Sequence, residues 1–86
     1  MSEQVSVTDI VEDMAAYTRR SGFKVDYNGV LSWVAIHDTI EDDDAFFFDE
    51  GEADEFIEQA GNLAEEADVP LSVAMEAHAK QYIDCL

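Results

Sequence analysis

The chain has 86 residues, 21 of them Asp or Glu and only 4 Lys or Arg, giving a formal charge of −17 at neutral pH. With 48% hydrophobic and 10% aromatic residues it is not a disordered acidic tail, because such tails carry few aromatics and cannot bury a core. Direct nucleic-acid binding is excluded too: neutralising phosphates takes clustered cations, and Arg19, Arg20, Lys24 and Lys80 are the whole supply.

The length predicts one domain, residues 1–86. Residues 7–21 read as a helix, with Ile10, Val11, Met14 and Tyr17 at helical spacing and Ala15 and Ser21 near the same face. Ser6 followed by Asp9 resembles a capping box with Asp in place of Glu. Arg19 and Arg20 in the last turn favour the helix dipole, and Gly22 is a natural stop.

Residues 23–37 read as a β-hairpin, since Phe23, Val25 and Tyr27 alternate with Lys24 and Asp26 and lead into Asn28-Gly29, a strong signal for a two-residue turn. Such a turn pairs Tyr27 with Val30, Val25 with Ser32 and Phe23 with Val34. It puts Phe23, Val25, Tyr27, Val30, Val34 and Ile36 on the core face. Lys24, Asp26, Leu31, Trp33, Ala35 and His37 fall on the other face. Residues 38–44 read as a polar loop and 45–48, Ala-Phe-Phe-Phe, as a short third strand.

Residues 50–67 carry the clearest helical stripe: Ala53, Phe56, Ile57, Ala60, Leu63, Ala64 and Ala67. Asp49 and Glu52 form its start signal. Asp68 and Pro70 break the chain before a last helix, roughly 71–84, with Leu71, Ala74, Met75, His78, Ala79, Tyr82 and Ile83 inward. The order α-β-β-β-α-α predicts an α+β fold, a three-stranded antiparallel sheet covered on one face by helices.

No apolar run approaches the roughly 20 residues of a membrane helix, and an anionic membrane surface repels this charge. Met-Ser-Glu-Gln at the amino terminus lacks the basic-then-apolar pattern of a secretory leader. Cys85 is the single cysteine and has no internal disulfide partner. Together these point to a cytoplasmic protein.

The charge is concentrated. Asp38, Glu41, Asp42, Asp43, Asp44, Asp49, Glu50, Glu52, Asp54, Glu55 and Glu58 supply 11 acids in 21 residues, with no Lys or Arg among them. Asp54, Glu58 and Glu65 share one side of the 50–67 helix; Glu52, Glu55, Gln59, Asn62 and Glu66 form the adjacent row. Residues four apart rise about 6 Å along a helix, close to the roughly 6–7 Å between phosphates along a DNA strand, given its 3.4 Å rise per nucleotide and the backbone tilt. A carboxylate row can therefore imitate a phosphate row and attract a basic channel. Dipole preference explains Asp49, Glu50 and Glu52. It explains neither 41–44 nor the missing Lys partners four residues along.

Other chemistry fits poorly. A calcium loop starting at Asp42 puts Phe46 and Phe47 where an oxygen ligand and the central glycine belong. His37, His78 and Cys85 match no zinc spacing, and Cys85 lies too near the chain end for a nucleophile's pocket. No catalytic residue, metal or cofactor is expected, and the chain reads as a non-enzyme. Trp33, beside Leu31 on the face away from the core, has the character of an interface hot spot.

Small size, extreme acidity and an α+β core without a catalytic motif resemble phage-encoded inhibitors that mimic DNA, among them anti-restriction and anti-CRISPR proteins and inhibitors of repair or recombination enzymes. The stretch Phe-Phe-Phe-Asp-Glu-Gly-Glu-Ala-Asp-Glu-Phe (46–56) is similar to segments of small phage proteins. The resemblance implies an inhibitor whose partner is a basic nucleic-acid-binding protein of the host or a defence system. Glu41, Asp42, Asp43, Asp44, Asp49, Glu50, Glu52, Asp54, Glu55, Glu58 and Trp33 are the expected partner-binding residues. Two alternatives explain the same acidity: a halophile's domain adapted to strong salt, or an acidic subunit of an obligate complex, the open sheet face then being available for a homodimer.

Overall fold

The computed structural model describes residues 6–85; Met1–Gln4, read above for a leader, and Leu86 lie outside the described residues. Ser6 opens α1 (Val7–Arg20), its hydroxyl accepting the Asp9 backbone N–H at 3.1 Å. Gly22 follows the helix at φ +87°, a left-handed conformation that costs a residue with a Cβ about 1–2 kcal/mol. There the carbonyl of Gly22 accepts both the backbone N–H and the hydroxyl of Thr39, each at 2.7 Å, tying the start of the first strand to the end of the second.

The three strands are β1 (Phe23–Asn28), β2 (Trp33–Asp38) and β3 (Asp43–Phe48), in the order β1-β2-β3 and antiparallel throughout. The expected two-residue turn is not formed. Asn28 pairs with Trp33 and Tyr27 with Val34, leaving 29–32 as a four-residue loop. Asn28 Oδ1 accepts the backbone N–H groups of Val30 and Leu31, at 2.9 and 3.0 Å, so the asparagine nucleates an Asx-type turn rather than entering a type I′ one. Relative to expectation the register has slipped by four residues. An even slip leaves every strand residue on its original face; Val30 is lost to the loop, standing 92% exposed, and Tyr27, expected in the core, keeps its face but is 40% exposed.

The second hairpin repeats the device. Asp38 Oδ1 accepts the N–H groups of Ile40 and Glu41 at 3.0 and 3.2 Å, and Asp38 pairs with Asp43 across residues 39–42. Each loop ends on a left-handed non-glycine residue, Ser32 at φ 54° and Asp42 at φ 55°. The polar loop is thus shorter than the expected 38–44, because Asp38, Asp43 and Asp44 are strand residues. Opposite Ile36/His37 the register shifts: Ile36 pairs with Phe46 and His37 with Asp44, leaving Ala45 as the bulged residue.

Asp49 caps α2 (Glu50–Ala67), its Oδ1 accepting the Glu52 N–H at 3.1 Å. The helix ends at Asp68, which is left-handed at φ 57°. Pro70 precedes α3 (Leu71–Ile83), where a preset φ suits helix entry. Val34, Ile36 and Phe48 from the sheet's inner face, Ala53, Phe56 and Ala60 from α2, and Ala74, Met75, Ala79 and Ile83 from α3 form the main core. Among the described residues no helix covers the outer face of the sheet.

A second cluster joins α1 to α3 through Val11, Ala15 and Ala77, with Ala67 at the end of α2. The buried stripe of α1 is Val11, Ala15 and Thr18, rotated from the expected one: Ile10 is 46% exposed, and Met14 and Tyr17 are half-buried. Ala77 joins the expected inward residues of α3, because α3 lies between α1 and α2 and buries two sides. The fully buried hydroxyl of Thr18 donates to the Glu76 carbonyl at 2.7 Å, and Arg19 pairs with the Glu76 carboxylate. Among the described residues no helix is long and apolar enough to cross a membrane.

Two substitutions test these joints in urea unfolding. Thr18→Val keeps the shape but removes the α1–α3 hydrogen bond, with an expected loss of about 1 kcal/mol. Gly22→Ala meets both the left-handed backbone and the Ile40 side chain, and is expected to lose about 1–2 kcal/mol or more. Unchanged midpoints would show that neither joint contributes.

Candidate functional site

Apart from half-buried Asp38, each acid singled out by the sequence is exposed, but the fold distributes them over three places. Glu41 and Asp42 occupy the β2–β3 loop, and Asp43 and Asp44 begin β3. At the other end of β3, Asp49, Glu50 and Glu52 form the cap and first turn of α2. Asp54, Glu55 and Glu58 lie further along α2, away from its buried stripe of Ala53, Phe56 and Ala60. Because α2 covers the inner face of the sheet, its outward carboxylates and Trp33 look to opposite sides of that sheet. The acidic segment therefore lies at both ends of β3 and along one flank of α2, and Trp33 belongs to a separate surface.

Few of these carboxylates are neutralised. Among the described residues the ion pairs are Arg19–Glu76, Lys24–Asp26, Lys80–Asp84 and the contacts of His37 with Asp42 and Asp44. None involves α2. Lys80 is further engaged over the Tyr17 ring, 4.7 Å from its centre. Three of the four Lys and Arg residues are thus committed to partners outside 38–58, and the acids of α2 keep an uncompensated field.

The two histidines differ in environment. His37 Nδ1 lies 3.1 Å from Asp44 and its Nε2 3.4 Å from Asp42. The hydrogen bond to Asp44, aided by the charges of both aspartates, raises its pKa above the ordinary imidazole value against a smaller effect of burial. His78 packs tilted against the Phe56 ring, centroids 4.7 Å apart, and burial lowers its pKa. Among the described residues no three His, Cys, Asp or Glu side chains converge as a metal-ligand set.

Sequence reading missed two features. One is a cleft of about 150 Å³ with Phe48, Phe56 and Tyr82 in its walls and Glu52 and Glu55 beside them. Burial raises the Tyr82 pKa, and the charges of Glu55 and Glu52 add to the shift. The other is the outward ring of Phe47, 66% exposed and stacked on Trp33 with centroids 6.4 Å apart and planes at 14°. The signal for it was present in the strand period: along 46–48 the side chains alternate, so Phe46 and Phe48 turn inward and Phe47 must turn out.

Comparison of the chain with family models, with curated proteins and with solved structures finds no match.

The histidine environments give a pH prediction. A raised folded-state pKa makes the His37 contacts stabilising below the unfolded value, and that contribution fades as pH rises through the folded value. His78 acts in reverse: its packing is stabilising while neutral and is lost as pH falls through the ordinary imidazole range. An NMR titration is expected to find His37 above and His78 below the free imidazole value. Asp44→Asn should bring His37 down and leave His78 unmoved; a common value for both rings would contradict the geometry.

Proposed function

We propose that this protein is a non-catalytic inhibitor that occupies the basic nucleic-acid-binding site of a partner protein with its own carboxylates. The observation that carries this reading is the run of acids in 38–58, exposed at every position but Asp38, concentrated well beyond what a solvated helix face needs and left unpaired along α2. An ordinary exposed helix offsets such acids with Lys or Arg three or four residues away. Here the helix is rigidly packed through Phe56 and Ala60, and its outer rows hold carboxylates at a spacing close to that of phosphates along a strand.

A basic channel that evolved to release counterions from phosphates would do the same with these carboxylates, and the combined field would speed encounter. The carboxylates engage as charged acceptors and need no bond-making step. The reading makes the target a DNA- or RNA-handling enzyme, of the host or of a defence system.

The decisive variant is the triple reversal Asp54→Lys, Glu55→Lys, Glu58→Lys. These side chains are exposed, so the circular-dichroism melt is expected to remain cooperative. Capture of a nucleic-acid enzyme by the native protein at about 150 mM salt should be reversed by about 1 M salt, where screening shortens to roughly 3 Å, and by added duplex DNA. The triple variant should capture none of it. Equal capture by the variant, or a complex indifferent to DNA, would overturn the reading.

A further inference from the structure

We propose that the open face of the sheet is a seat for an arginine side chain of the basic partner, with the Trp33 and Phe47 rings as its platform. The proposal rests on the reading that the partner is basic, and it locates a contact that the carboxylates alone do not specify. The strand register places the side chains in rows: Lys24–His37–Asp44, then Asp26–Ala35–Phe47, then Asn28–Trp33. Ala35 is small and buried, which leaves the two large rings standing on either side of it. They lie nearly parallel, on the diagonal between adjacent strands, and no helix covers them.

An aromatic pair on an open antiparallel sheet is the arrangement by which RNA-binding sheets stack bases. The charge here selects a different ligand. Asp26 shares the face, Asp49 and Glu50 follow directly at the end of β3 nearest Trp33, and the chain as a whole carries −17. A phosphate backbone would be repelled at this face, whereas a cation that can stack would be drawn to it. Lys24 pairs with Asp26 at 3.7 Å and, with His37, occupies the row farthest from Trp33, so Asp49 and Glu50 are the unpaired acids nearest the platform.

Guanidinium fits this setting better than ammonium. It is planar, weakly hydrated and stacks on aromatic faces, and tryptophan gives the strongest cation–π attraction. A lysine would gain from the carboxylates but little from the rings. A second copy of this chain would bring a second charge of −17 to the contact.

Trp33 is the only tryptophan, so its fluorescence reports on the face directly. The probes are tri-arginine amide, tri-lysine amide and the uncharged tri-citrulline amide, titrated into the intact protein. Tri-arginine is expected to change the emission saturably and to bind about fivefold more tightly than tri-lysine, a preference in the range of an exposed cation–π contact. Tri-citrulline should give no saturable change. Phe47→Ala, at a position too exposed to threaten the fold, removes one of the two rings and should cut the arginine preference to about twofold, with the tri-lysine affinity unchanged. Equal binding of arginine and lysine peptides, an unaltered preference in Phe47→Ala, or a dimer whose formation changes Trp33 emission would each overturn the proposal. The triple reversal on α2 separates the two readings, because it should weaken both peptides alike and leave their ratio intact. Failure of the acidic-surface reading would therefore appear in partner capture, and failure of the platform in that ratio.

Discussion

The packing of Phe48 fixes the relation between the acidic segments. Its ring lies 5.3 Å from Phe56 of α2 and 5.2 Å from Tyr82 of α3, and Phe46 meets Tyr82 at 5.9 Å. Aromatic contacts of this kind add about 0.5–1.5 kcal/mol each to the burial of their surface. Phe48 is also the last residue of β3 and stands immediately before the Asp49 cap. This buried ring thus sets where the strand ends, where α2 begins, and which α2 residues turn outward. The carboxylates are arranged by an apolar contact, and their own mutual repulsion is overcome there.

That repulsion is considerable in a domain this small, whose core is limited in proportion to its surface. The cations answer it unevenly. Arg19 and Lys80 reinforce the α1–α3 side, the first through Glu76 and the second through Asp84 and the face of Tyr17. The α2 side receives none. Structural cross-linking and uncompensated charge are therefore segregated to different parts of the molecule, and the uncompensated charge is carried by a helix anchored in the core through Ala53, Phe56 and Ala60.

Much of the architecture was legible in the chain because hydrophobic period and capping chemistry agree. Residues 50–67 and the cap Asp49 illustrate this: stripe, start and stop coincide with α2. The hairpin register was not legible, since Asn28-Gly29 is consistent with two turns and the choice depends on whether the asparagine carbonyl captures Val30 and Leu31. The face assignment survived that error because the slip was even. The stripe of α1 was misplaced because Thr18 is polar by type yet buried through its hydrogen bond to the Glu76 carbonyl, a partner 58 residues away. The acids were visible as a run, but their division between a hairpin end, a helix cap and a helix flank follows from the packing of Phe48.

The bulge at Ala45 bears on a different hazard. A three-stranded sheet with one bare face and two unpaired edges offers backbone donors and acceptors to any neighbouring copy, the usual route to strand addition and aggregation. Along β3 the bulge interrupts the ladder, and Asp43 and Asp44 stand at the same edge; along β1, Lys24 and Asp26 alternate with the inward residues. Irregular backbone and fixed charge make both borders poor templates. With self-association disfavoured at its borders, the sheet can leave Leu31, 67% exposed, and the Phe47 ring in solvent while remaining dispersed.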